Sequence, residues 1–138
     1  MSVFRIIPIS EVPAQVPQIN QTPAAVLRSG NGDTKTWPAF TSADGVVTSG
    51  VWESEAFSKQ KVHPDSMEFC YVLEGTVRIS DANGNTASFG PGDAFVVDAG
   101  FDGVWESLTR VRKYFVIAQC KAEAIPSNNA RTSHEQLR

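Results

Sequence analysis

The sequence predicts an all-β domain, a sandwich or a barrel. From Val46 onward, short runs rich in β-branched and aromatic residues follow one another: VVTSGVWE, AFSKQKV, EFCYVLE, TVRISD, TASFG, AFVVD, GVWESL and RKYFVIAQC. Turn-forming residues stand between them, at Gly75, Asn83-Gly84, Gly90-Pro91-Gly92 and Gly100. Regularly spaced short strands without intervening helical patterns are the signature of those two architectures.

Element by element, residues 3–9 (VFRIIPI) alternate well enough for a short edge strand. Residues 10–44 carry Pro13, Pro17, Pro23 and Pro38 with few periodic apolar positions, which predicts an extended, looping lead-in. Its one helical hint is TPAAVL at 22–27. The organisation expected is therefore an N-terminal strand and lead-in over 1–45 packed on a barrel over 46–120, then a polar tail over 121–138. That tail, with its SNNARTSHEQLR, is expected to be mobile or a short terminal helix. Within the barrel, Asn83-Gly84 between VRISD and NTASF is the strongest hairpin signal, because both residues tolerate the positive φ that a tight turn requires.

A chain of 138 residues, 41% hydrophobic and 20% charged, has the composition of one ordinary globular domain. A formal charge of −3 and a sequence pI near 5.3 supply no footprint for nucleic acid or an anionic membrane surface. The opening MSVFRIIPI is interrupted by Arg5 and too short for a signal peptide, and no apolar run approaches a membrane span. The chain reads as cytoplasmic. Cys70 and Cys120 lack metal-type spacing and are expected as buried thiols.

One pentapeptide occurs twice, as Gly50-Val51-Trp52-Glu53-Ser54 and Gly103-Val104-Trp105-Glu106-Ser107. Either the chain carries an internal duplication, or two places in the fold make the same physical demand. The tryptophans are expected inside as large residues with a hydrogen-bondable N–H, Glu53 and Glu106 outside by parity.

Parity also selects the polar residues of KVHPDSMEFCYVLEG, residues 61–75. Lys61 and His63 share one face of a strand; Glu68 shares a face with Cys70 and Val72, opposite Phe69, Tyr71 and Leu73. If Cys70 and Val72 line the interior, Glu68 does too, and an interior carboxylate needs a cation, a metal or hydrogen bonds.

This segment resembles the first motif of the cupin superfamily, in which two histidines separated by one residue precede a glutamate, with a glycine after six intervening residues. His63, Glu68 and Gly75 match. The stretch Gly92 to Gly103, with PGDAFVVDAG as its core, is similar to the second motif. The wording EFCYVLEG, PGDAF, GFDGVWE and VRKYFV resembles small single-domain cupins related to the (S)-ureidoglycine aminohydrolases and the ethanolamine-utilisation cupins. The resemblance covers roughly residues 46–118 and implies an RmlC-like cupin jelly roll, the double-stranded β-helix barrel. It also implies that the four metal-ligand positions of a typical cupin fall on Lys61, His63, Glu68 and Gly103.

Two of those four are lost. A divalent ion generally wants three or more protein donors, and an ammonium at Lys61 repels it. No cofactor is therefore expected; were Zn, Ni, Mn or Fe to bind, His63 and Glu68 are the donors, with Asp65, Asp98 or Asp102 recruited. Lys61 is expected as the counter-ion of Glu68, and Trp105 as leaning into space vacated at Gly103. The candidate pocket residues are Lys61, His63, Glu68, Cys70, Trp52 and Trp105, in a setting suited to a small polar or anionic molecule. A Cys70–His63 nucleophile pair has little to lower the thiol's pKa, and Lys113 is expected to snorkel at the surface.

Three functions stay open on the sequence: a small-molecule-binding cupin with a degenerate metal site; a metal-dependent or metal-free enzyme on a nitrogenous metabolite, hydrolysing a C–N bond by analogy with ureidoglycine aminohydrolases or transferring a proton; or a structural or interaction protein with a vestigial pocket. Apolar outward residues in VFRIIPI and at Phe69, Tyr71 and Leu73 predict a homodimer.

Overall fold

The computed structural model describes residues 5–120, which leaves the polar tail over 121–138 and residues 3 and 4 of the expected N-terminal strand outside it. A 3₁₀ helix, Ile9–Ala14, is followed by eleven strands. They are β1 (Gln18–Gln21), β2 (Leu27–Ser29), β3 (Asp33–Thr41), β4 (Val47–Ser54), β5 (Phe57–His63) and β6 (Ser66–Glu74). After them come β7 (Val77–Asp81), β8 (Thr86–Phe89), β9 (Ala94–Val97), β10 (Phe101–Ser107) and β11 (Val111–Gln119). They form two antiparallel sheets, in the orders β1-β3-β4-β11-β6-β9 and β2-β5-β10-β7-β8. The all-β jelly-roll class expected from the sequence is what is observed.

Side-chain alternation builds the core between the sheets. On β6, Glu68, Cys70 and Val72 are buried while Phe69 and Tyr71 are exposed. Phe57, Cys70, Val77, Trp105 and Val111 form the inner cluster, joined by Leu27, Trp52, Ile79 and Phe95. A second cluster of Val12, Trp37 and Val51 lies on the other face of β4, since Val51 and Trp52 are consecutive on the strand and point oppositely. It seats the 3₁₀ helix, and the Trp37 indole donates to the Gln15 carbonyl at 2.9 Å.

The lead-in is extended, and most of it is paired: β1 on β3, β3 on β4, β2 on β5. Two local expectations are corrected. The described part of 3–9 forms no strand, because Pro8 has no N–H to donate and the chain enters the 3₁₀ helix at Ile9. TPAAVL is a turn, not a helix; Val26 and Leu27 both donate to the Pro23 carbonyl at 3.0 Å and the chain then extends into β2. Six residues are too few to nucleate a helix without a packed face. The Asn83-Gly84 hairpin forms between β7 and β8, with Gly84 at φ 86° and the Asp81 carboxylate accepting from the Asn83 and Asn85 amides.

The repeated pentapeptide occupies β4 in one sheet and β10 in the other. At Gly50 a Cβ would collide with the Trp37 carbonyl oxygen, and at Gly103 with that of Ser80. Both glycines admit a neighbouring strand's backbone. The tryptophans face inward and meet; the Ser54 hydroxyl donates to that of Ser107 at 2.8 Å. Glu106 is half-buried and pairs with Arg78 at 2.9 Å. Glu53, expected in solvent, is instead buried at 6% exposure, because Arg110 and Arg112 close over it at 2.8 Å each.

Candidate functional site

The inward faces of β4, β5, β6, β10 and β11 converge on one carboxylate. Glu68 Oε1 accepts from Lys61 Nζ at 2.9 Å, and Oε2 accepts from Lys113 Nζ at 2.6 Å. Lys113 also approaches Cys70 Sγ at 3.4 Å. All four residues are buried. The register explains the convergence: Lys113 stands opposite Trp52 on β4 and Val72 on β6, and Lys61 stands opposite Gly103. Beside Lys113, one residue of β6, Leu73, has no partner on β11, a bulge of the kind that re-aims side chains.

Two tryptophans roof the cations. Lys113 Nζ lies 4.3 Å from the Trp105 ring centroid and 4.8 Å from that of Trp52; Lys61 Nζ lies 5.1 Å from Trp105. Each is a desolvated cation–π contact. The Trp105 indole donates to the Ser107 hydroxyl at 3.0 Å, which fixes the ring.

Burial alone pushes the Glu68 carboxyl up, but the ammoniums of Lys113 and Lys61 outweigh it and hold Glu68 well below the carboxylate range. Burial acts against the charge of Lys113 as well; Glu68 more than compensates, and Lys113 stays charged. Lys61 is pushed down by burial, which Glu68 only partly offsets. His63 is lowered by burial and then by the Lys61 charge, so its imidazole is neutral near pH 7. Burial pushes the Cys70 thiol up to about 11, so the Cys70–His63 pair offers no thiolate at neutral pH.

A cavity of ≈ 560 Å³ opens on this cluster. Trp52, Trp105, Lys61 and Glu68 line it, joined by Lys59 and Lys113. Of the six residues selected from the sequence, four reach the cavity wall. Cys70 is fully buried beside Lys113, and His63 Nε2 lies 3.8 Å from Glu68 Oε1, beyond hydrogen-bond length, with Nδ1 buried and unpartnered. A second cavity of ≈ 380 Å³, lined by Ile79, Phe89, Phe95 and Phe101, contains none of these charged groups.

Lys59 and Lys113 are the residues that sequence reasoning missed. Lys113, expected at the surface, is 3% exposed. It shares parity with Val111 and Phe115, so its inward direction was readable from alternation. The same holds for Lys59, two residues before Lys61 on β5. Two further corrections concern Cys120, which is exposed because it follows the last paired residue of β11, and the space beside Gly103. The Phe101 ring and the Ser80 carbonyl fill that space, not Trp105.

The donor set does not fit a divalent ion. Both Glu68 oxygens are engaged by ammoniums, and among the described residues no three His, Cys, Asp or Glu side chains come together, Asp65, Asp98 and Asp102 included.

An antiparallel jelly roll whose polar cluster sits on the inward faces of its strands defines a cupin barrel. Residues 41–115, more than half of the sequence, match the EutQ-like cupin domain, and the chain belongs to that family. No curated protein matches it. Among solved structures it is similar to a protein of unknown function from Pseudomonas syringae pv. tomato, with TM-score 0.69 and 22% identity over 75% of this chain and 45% of that one. The chain thus spans less than half the length of that relative. A predicted oxalate decarboxylase from Thermotoga maritima gives TM-score 0.63 at 19% identity, covering 83% of this chain and 99% of that one. The EutQ protein of Clostridium difficile gives 0.56 at 18%, covering 74% and 69%. At these identities the likeness is one of fold. Among the described residues no helix is long and apolar enough to cross a membrane.

Proposed function

We propose that this cupin binds a small anionic metabolite, a carboxylate above all, without a metal. The observation that carries the reading is the charge balance of the cavity wall: Lys59, Lys61 and Lys113 face a single carboxylate, Glu68. An ammonium has three donors, and Lys61 uses one of its three on Glu68. The remaining hydrogens and the unpaired Lys59 give an anion charge-assisted contacts in a half-apolar enclosure. The open cavity favours binding over a vestigial pocket, which would be plugged by Trp52 and Trp105. Metal-assisted C–N hydrolysis of the ureidoglycine aminohydrolase kind finds no supporting donor set among the described residues.

The test is thermal shift against mono- and dicarboxylates, neutral sugars and amines, at low and high salt. Carboxylates should raise Tm, less so in Lys59→Gln. A response to sugars or amines with none to carboxylates overturns the reading.

The same proposal includes a homodimer. Phe69 and Tyr71 on β6 are exposed; Phe69 pairs with Val96 on β9 and Tyr71 with Tyr114 on β11, and the two adjacent rows form an apolar patch that a second copy would cover.

A further inference from the structure

Lys59 stands apart from the other two lysines of the cavity. It projects from β5 on the same face as Lys61 and directly opposite Trp105 on β10. Lys61 and Lys113 are each bound to Glu68, whose two oxygens are thereby used. Among the described residues Lys59 forms no ion pair and no side-chain hydrogen bond. It is a half-buried amine on the wall of a half-open cavity lined by Trp52 and Trp105, beside the ammoniums of Lys61 and Lys113 and without a counter-ion of its own.

That arrangement activates an amine as a nucleophile. Desolvation and neighbouring cations both disfavour the ammonium form, which has no lone pair. We propose that Lys59 condenses reversibly with the aldehyde or ketone carbon of a small oxo acid, whose carboxylate is held by the free N–H groups of Lys61 and Lys113. The inference rests on the anion-binding reading and adds a covalent step to it.

The step balances without an outside reagent. The Lys59 nitrogen lone pair forms a C–N bond to the carbonyl carbon as the C=O π pair moves to oxygen. That oxygen takes a proton while the nitrogen releases one, leaving a carbinolamine. Protonation of its hydroxyl by a neighbouring ammonium, Lys61 lying two residues on along the same face of β5, lets the C–O bond break and water depart. The nitrogen lone pair closes the C=N bond, and water reverses the sequence. No group is oxidised or reduced.

The charge of Lys59 follows from the same surroundings. Burial first, then the charges of Lys61 and Lys113, lowers Lys59 to about 8 from an ordinary 10.5 against the opposing charge of Glu68, so a minority neutral fraction exists near neutral pH. Surface lysines have no comparable fraction.

The experiment is reductive trapping on the whole protein with pyruvate and, separately, glyoxylate in the presence of cyanoborohydride, followed by intact mass and peptide mapping. The expected result is one adduct per chain, mapped to Lys59, reduced in Lys59→Arg to the background seen at other lysines. That substitution keeps the positive charge and removes the amine nucleophile, so loss of the adduct there is not loss of charge. The trapping rate should rise through pH 8, well ahead of the ordinary lysine value of 10.5. Wild-type carboxylate thermal shifts with no Lys59 adduct from either oxo acid overturn the covalent step and leave anion binding standing. Absence of both overturns both. Adducts spread evenly over the lysines, unchanged in Lys59→Arg, also overturn the covalent step.

Discussion

Trp52 and Trp105, the central residues of two identical pentapeptides, meet inside the barrel with ring centroids 5.6 Å apart and planes at 84°. That edge-to-face contact joins the two sheets, one tryptophan from β4 and the other from β10. The serines two residues on are also joined, and the glycines two residues before each admit a crossing carbonyl. The repeat therefore answers a packing demand, made once per sheet, and the Lys61–Glu68–Lys113 cluster is built against it.

The glycines carry the first prediction. Gly50→Ala and Gly103→Ala should each destabilise by about 1–3 kcal/mol, as overpacking against an immovable carbonyl does. Urea denaturation of each variant checks this, and an unchanged midpoint would show that β3 or β7 yields freely. For the same reason Lys61→His with Gly103→His does not simply rebuild a cupin metal site. The new ring at 103 has to displace both Ser80 and Phe101.

Glu68 carries the second. Glu68→Gln leaves two buried ammoniums without their carboxylate and should cost about 3–5 kcal/mol. Lys61→Ala alone is a milder change, because Lys113 still holds Glu68 at 2.6 Å. The double variant Lys61→Ala with Lys113→Ala strands the carboxylate and should cost more than the two single losses added. Simple additivity in a double-mutant cycle would mean that the two lysines do not share Glu68.

The third concerns acid. A carboxyl lowered on folding contributes stability that is complete above its unfolded value, here 4.5, and is lost as pH falls through the folded value. The wild-type urea midpoint should therefore fall steadily below about pH 4.5. Other lowered carboxyls, Glu53 among them, add to that slope in both proteins. The difference between wild type and Glu68→Gln isolates Glu68, and it should shrink as pH falls. A difference that stays constant from pH 7 to strong acid would place the stabilisation of Glu68 outside its charge.

Alternation made much of this legible. One parity argument placed Glu68, Cys70 and Val72 inside and Phe69 and Tyr71 outside, and the structure agrees. Applied to β11 and β5 with equal rigour, it would have found Lys113 and Lys59. The general tendency of lysines to snorkel overrode it, because one strand does not reveal a carboxylate waiting across the barrel. Glu53 was misplaced for a related reason: its guanidinium partners lie 57 and 59 residues away. Gly103 could be recognised as a lost ligand position, but not as the point where β7 crosses close to β10. Long-range partners, more than local pattern, decide which charged residues are buried.

The last prediction is the homodimer. On the outer face of the six-stranded sheet, Val96 is 56% exposed, Phe69 37% and Tyr71 36%, and Tyr71 stacks on Tyr114 with centroids 6.0 Å apart. Cross-strand pairing aligns Val96, Phe69 and Val116 in one row and Ala94, Tyr71 and Tyr114 in the next. Stacked aromatics on a flat sheet face lose little side-chain entropy on association, which makes them efficient anchors. Phe69→Asp with Val96→Asp would place charges in such an interface while leaving the inward faces of β6 and β9 untouched. Light scattering at tens of micromolar should give a dimer for the wild type and a monomer for this variant, with the carboxylate thermal shift retained. A monomeric wild type would sink the prediction outright. A dimeric variant would move the interface elsewhere, toward the almost fully exposed Ile6 and Val16 of the lead-in.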